Sequence, residues 1–168
     1  APGTGPVAPS PLRSRNDLAR LRPLHHEDIH YVTDTVLALV KELKVPLLAF
    51  AGAPFTVASY LIEGRPSRTY QNTKRLMRED EVLWHDVMEH LAQHSVEFIS
   101  AQISAGAEAF QLFDSWAGAL SRSDYDTYVK PHSTAVFSQL AERHPGVAGI
   151  HYGIGCDHLL ESMNSVGN

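Results

Sequence analysis

The chain has 168 residues, 43% hydrophobic and 20% charged, a globular composition with material for one modest core. Its 14 basic and 19 acidic residues leave a net charge of −5, without the basic surplus of a nucleic-acid binder. One cysteine, Cys156, excludes an internal disulfide and any multi-thiolate zinc or iron–sulfur site built by this chain alone, and it fits a reducing compartment.

The N-terminal Ala1-Pro2-Gly3-Thr4-Gly5-Pro6 has no initiator Met, basic n-region or apolar h-region, so it is no signal peptide and reads as cut from something longer. Residues 1–13, with Pro2, Pro6, Pro9 and Pro11, predict an extended lead-in. Ser14 with Asp17 resembles a capping box and opens a short helix through Leu21. From Glu27 to Leu43 the apolar set Ile29, Val32, Val36, Val40 and Leu43 keeps helical spacing.

Val45 to Phe50 is a compact apolar run, the mark of a strand buried on both faces. The uncharged stretch containing it, Val45 to Ile62, is broken by Pro46, Gly52 and Pro54 and carries Thr56, Ser59 and Tyr60, so it is not a membrane span. A helix over Thr56 to Glu63 ends at Gly64 and Pro66. A long helix from Glu79 to Ala105 follows, with Trp84, Val87, Leu91, Phe98 and Ile103 near its inner stripe.

Ala107 to Phe113 predicts the second buried strand. Asp124 to His144 predicts a helix, capped by Ser121 or Ser123 and bent at Pro131. Val147 to Tyr152 is the third strand and Asp157 to Val166 the last helix. Such alternation predicts parallel strands joined by right-handed crossovers. Three strands cannot close a barrel, and a complete (β/α)8 barrel needs ~250 residues. The chain is therefore either a small open sheet or the middle of a barrel.

Ligands of parallel α/β folds meet the loops after the strands. Here these are Gly52-Ala53-Pro54-Phe55-Thr56, Asp114-Ser115-Trp116-Ala117-Gly118 and Gly153-Ile154-Gly155-Cys156. Ser115 lacks the flanking glycines of a nucleophile elbow, which argues against an esterase. Its hydroxyl reads as a substrate hydrogen-bond donor or a turn cap. Asp114 fits a base, a group that orients its neighbours, or a structural acceptor. His151 ends the third strand, and Arg65 and Arg68 follow the first loop as candidate anion binders or plain surface cations. The i,i+4 pairs His26/His30 and His90/His94 lack the glutamate of H-E-x-x-H and read as surface histidines. Gly153-Ile154-Gly155 supplies too few glycines for a dinucleotide loop.

Two long motifs go further. Phe50-Ala51-Gly52-Ala53-Pro54-Phe55-Thr56, continued by Ala58-Ser59-Tyr60-Leu61-Ile62-Glu63-Gly64, resembles a signature of the uroporphyrinogen decarboxylase family. Gln111-Leu112-Phe113-Asp114-Ser115-Trp116-Ala117-Gly118 resembles its bacterial counterpart further along, Ile150-His151-Tyr152-Gly153-Ile154-Gly155 matches the next strand end, and Gly3-Thr4-Gly5-Pro6-Val7 also fits.

The resemblance implies the central portion of a (β/α)8 TIM barrel lacking its N- and C-terminal parts. It implies a cytoplasmic, cofactor-free and metal-free lyase, homodimeric when full length, with uroporphyrinogen as its partner. Such an enzyme removes four acetate carboxyl groups from uroporphyrinogen III, giving coproporphyrinogen III for haem synthesis. Tyr60 and Ser115 match substrate-contacting positions, with Asp114, His151 and Arg65 as additional candidates. The family's arginine-rich stretch, its pyrrole-gripping aspartate and its C-terminal histidine have no counterpart here, so the isolated piece is expected to be inactive. Arg65 and Cys156 stand where the family commonly has a glycine and a small hydroxyl residue.

Two rival readings follow. Zinc-dependent cobalamin or coenzyme methyltransferases share the fold but bind zinc through a His-x-Cys pair; here the stretch is His151-Tyr152-Gly153, with Cys156 three residues late. A non-catalytic half-barrel binding module is the other, disfavoured because open strand edges are liabilities.

Overall fold

The computed structural model describes residues 7–167. Their elements in chain order are α1 (Arg15–Leu18), α2 (His26–Glu42), β1 (Leu48–Gly52), α3 (Pro54–Glu63), α4 (Gln71–Glu79), α5 (Glu81–Ser104), β2 (Ala109–Asp114), α6 (Arg122–Tyr128), α7 (Lys130–Arg143), β3 (Ala148–Gly153) and α8 (Leu160–Asn164). Short 3₁₀ turns occupy Ala117–Ala119, Asp157–Leu159 and Ser165–Gly167. The Gly3–Val7 match lies almost wholly outside the described residues.

The strands form one parallel sheet in the order β1-β2-β3, open at both edges, which is the expected barrel sector. Gly52 pairs with Phe113 and Phe113 with Tyr152, so all three strand ends, and the loops after them, share one edge. One face of the sheet is packed: Ala49, Ala51, Phe110 and Leu112 meet Val96 and Ile99 of α5 and Val136 and Leu140 of α7. A second core joins Phe55, Ile62, Met77, Trp84, Met88, Tyr125 and Leu159, beneath the loops.

The opposite face corrects an expectation. The strands are not buried on both sides: Leu48, Phe50, Ile150 and Tyr152 are 40–56% exposed. Helices of this chain cover one face only, and in a closed barrel the other face is the interior. Phe50, Phe113 and Tyr152 form an edge-to-face aromatic row across it, with centroids 5.9 and 5.4 Å apart.

Polar anchors hold α5 against β1. The Gln102 amide accepts from Phe50 N (3.3 Å) and donates to Phe50 O (3.0 Å), pairing the strand's free edge. Ser95 Oγ donates to Gly52 O at 3.1 Å.

Local signals explain most boundaries. Ser14 and Ser121 cap α1 and α6 through Asp17 N and Asp124 N. Pro54 opens α3, and Gly64 ends it in the left-handed region at φ 76°. Asp80 ends α4 and caps α5 by accepting from Leu83 N at 3.0 Å.

Three helix expectations are revised. The Asp124–His144 helix is two helices, interrupted at Val129, because Pro131 has no N–H to continue the ladder and sits harmlessly in the first turn of α7. The Asp157–Val166 helix is one α-turn, α8, flanked by 3₁₀ turns. Finally, the expected Glu79–Ala105 helix starts at Glu81, because Glu79 closes α4, a separate helix for which the sequence carried no expectation. Residues 8–12 of the lead-in run along α3: Ala8 donates its N–H to Gly64 O, and Leu12 is buried and donates its N–H to Leu61 O, whereas Pro2 and Pro6 lie outside the described residues.

Candidate functional site

At the shared edge, the first two loops are tied by one buried carboxylate. Asp114, fully buried at the end of β2, accepts a hydrogen bond from Thr56 Oγ1 at 3.1 Å. Thr56 Oγ1 in turn accepts from Trp116 N at 3.3 Å. The first turn of α3 is thereby fixed to the residue after Ser115. The Trp116 ring then packs, tilted, against Tyr60 of α3, centroids 4.0 Å apart, and against Tyr70 at 5.2 Å.

The third loop closes on the second through glycine. A Cβ at Gly118 would strike the Ile154 carbonyl and lie 2.6 Å from the Gly155 carbonyl, so no other residue permits this approach. Cys156 packs against Gly153 beneath the loop. Burial and then the neighbouring Asp114 charge push its thiol above the usual range, the opposite of what a reactive thiolate requires.

The five candidate residues separate into three settings. Tyr60, whose ring packs on Trp116, and Ser115, the residue before Trp116, are both half-buried, and neither hydroxyl has a hydrogen-bond partner among the described residues. Asp114 and His151 lie on the helix-facing side of the sheet. His151 Nε2 is 3.6 Å from Asp114 Oδ2, its side chain 7% exposed, its ring 5.5 Å from that of Phe137. Arg65 is exposed, lining a groove of about 510 Å³ with Arg13, Glu63, Ser67, Arg68 and Asn72, and neither Arg65 nor Arg68 has an ionic partner among the described residues.

Sequence reading missed Tyr70, Trp116 and Tyr125 and gave Thr56 only a helix-start role. Thr56 and Trp116 stand inside the quoted motifs, so the signal was present. Tyr70 and Tyr125 carry none. Tyr125 is fully buried, and burial, then the Asp114 charge, drives its phenol far above the ordinary range. Asp114 Oδ2 and both His151 nitrogens are buried without a hydrogen bond among the described residues.

The spaced histidines are locally engaged. His30 Nδ1 meets Glu27 O, His90 Nδ1 meets Asp86 O, and His94 Nε2 meets Arg22 O at 2.7 Å. Among the described residues no cluster of three or more His, Cys, Asp or Glu is arranged to hold a metal ion. Nor is any of their helices long and apolar enough to cross a membrane.

Comparisons with known proteins agree with this architecture. The chain is 52% identical over 167 residues to uroporphyrinogen decarboxylase of Salinispora tropica, an alignment covering 99% of the chain and 44% of that protein. The corresponding protein of Streptomyces avermitilis is 51% identical over 167 residues, covering 99% of the chain and 46% of the relative. That of Bacillus pumilus is 47% identical over 166 residues, covering 98% and 47%. The chain thus spans under half the length of these curated relatives. The model of the family described as uroporphyrinogen decarboxylase (URO-D) matches residues 1–168, and with its parallel sheet and paired strand-end motifs the chain belongs to the uroporphyrinogen decarboxylase family.

Proposed function

We propose that the whole protein is a cofactor-independent carboxy-lyase that converts uroporphyrinogen III to coproporphyrinogen III. One observation supports this beyond family membership. Tyr60 and Ser115, which match the family's substrate contacts, are brought to neighbouring strand ends through Trp116, with hydroxyls unengaged by the described residues.

In each of four steps an acetate carbon–carboxyl bond breaks and carbon dioxide leaves. The bonding pair flows into a protonated pyrrole, the carbon then takes up a proton to become a methyl group, and the ring releases the proton it had gained. The substrate supplies its own electron sink, so the protein's task is positioning and electrostatics. Ser115 and Tyr60 donate hydrogen bonds to substrate carboxylates, and Arg65 offers a cation at the rim. Asp114 acts through Thr56 and Trp116, with His151 beside it, and holds the loops rather than meeting the substrate. The protein works in the cytoplasm as a homodimer.

The test is carbon dioxide or heptacarboxyl product formed from uroporphyrinogen by the whole protein. A folded protein that forms neither would refute the reading. Stoichiometric zinc, lost in His151→Ala, would replace it with methyl transfer.

A further inference from the structure

Tyr70 is the one non-glycine among the described residues with a positive φ, at φ 53° and ψ 40°. An aromatic residue adopts this left-handed conformation only where its surroundings impose it. The imposing contacts are visible. Ser67 Oγ accepts from Thr69 N at 3.3 Å and from Tyr70 N at 3.0 Å, turning the chain just before α4. The Tyr70 ring is thereby turned inward, 8% exposed, and packs tilted on the Trp116 indole, centroids 5.2 Å apart. One turn later Lys74 Nζ donates to Ala119 O at 2.7 Å, so α4 grips the loop after β2 at two points.

Trp116 is consequently held by three contacts. Thr56 Oγ1 fixes its amide, Tyr70 backs its ring, and Tyr60 lies against it at 4.0 Å. We propose that Tyr70 is a positioning residue for substrate binding: by backing Trp116, it sets the place of the Tyr60 ring and of Ser115 without touching substrate. This rests on the decarboxylase reading for its kinetic arm only. The Tyr70 hydroxyl has no hydrogen-bond partner among the described residues, so the ring alone carries the role.

The experiment uses the whole protein with Tyr70→Phe and Tyr70→Leu. Tyr70→Phe keeps wild-type kinetics. Tyr70→Leu, apolar but without a flat ring, raises KM for uroporphyrinogen about 5- to 20-fold with kcat within about 2-fold, a loss of roughly one decade in affinity. A folded Tyr70→Leu with unchanged KM, or a Tyr70→Phe that shares the defect, overturns the proposal.

A second readout needs no substrate. In 5-fluorotryptophan-labelled protein, the Trp116 resonance, identified by its loss in Trp116→Phe, shifts in Tyr70→Leu. It shifts in the same direction in Ser67→Ala, which releases the turn without disturbing the core. No shift in either variant overturns the proposal, whatever the activity. A shift with no turnover by the wild type refutes the decarboxylase reading and leaves the clamp standing.

Discussion

Ser115 and Asp114 are chain neighbours with opposite fates, because Asp114 is the last residue of β2, on the face that carries Phe110 and Leu112, and Ser115 opens the turn after it. Ser115 stands past the strand end with an unengaged hydroxyl, and as a donor to a carboxylate its loss weakens binding by ~1–3 kcal/mol while turnover persists. Titration calorimetry and kinetics on Ser115→Ala check this; abolished turnover in a folded variant would instead make it a nucleophile. Asp114 points into the helical layer. Asp114→Ala strips Thr56 of its acceptor and leaves the proton of a buried hydroxyl without a partner, although Trp116 N still donates to its oxygen, costing about 1–3 kcal/mol in urea unfolding, whereas Asp114→Asn retains the Oδ1 acceptor and costs less. Equal losses in the two variants would show that the charge, not the acceptor, matters. Tyr125 offers a third check. Its raised phenol pKa means that its contribution to stability is complete below pH 10 and is lost as pH rises beyond it. Absorbance at 295 nm in alkali therefore leaves this tyrosine untitrated until the protein unfolds.

Among the helices, α4 shows why some elements escape sequence reading. Gln71–Glu79 is polar almost throughout, with only Thr73 and Met77 buried, so it has no apolar stripe. Its N-terminus is satisfied from eight or more residues upstream: Glu63, itself nearly buried, accepts from Thr73 N (2.9 Å), Thr73 Oγ1 (3.0 Å) and Asn72 Nδ2 (3.0 Å). A cap supplied across a turn leaves no local signature. The apposition of α5 and α7 is equally silent in sequence. His85 Nδ1 and His132 Nε2 meet at 2.8 Å with stacked rings, and burial, then the His85 charge, lowers the His132 pKa to about 4. The unfolded chain, near pH 6.5 for this group, takes up a proton that the folded one refuses. The His132 contribution to stability is therefore present above pH 6.5 and declines as pH falls towards 4. Melting temperature against pH should fall less steeply across that window in His132→Gln than in wild type; parallel slopes would exclude the pair as an acid-sensitive element.

For the molecule as a whole, the open sheet face is the dominant physical fact. Leu48, Phe50, Phe113, Ile150 and Tyr152 share one largely apolar face around Gln111, more than scattered surface hydrophobics. Residues 1–168 prepared alone should bind a hydrophobic dye strongly and form no heptacarboxyl product above buffer, since an open, wet face weakens every electrostatic contact. Weak dye binding would show that this face finds cover within residues 1–168, and clear turnover would show that these residues hold a complete catalytic set.

The sequence by itself determined that there are three parallel strands, the first displaced from the expected Val45–Phe50 to Leu48–Gly52, and the two loop motifs. These depend on short apolar runs, prolines, glycines and capping residues acting within a few positions. It also made Tyr60 and Ser115 candidates, because their motifs are contiguous. Tertiary structure alone decided which face of each strand is covered, and so that Asp114 and His151 turn towards the helices. It alone joined Thr56 to Asp114 across 58 residues and set Tyr70 behind Trp116. A period of two says that alternate residues share a face but not which face meets a helix; that choice is made only when α5 and α7 pack onto the sheet.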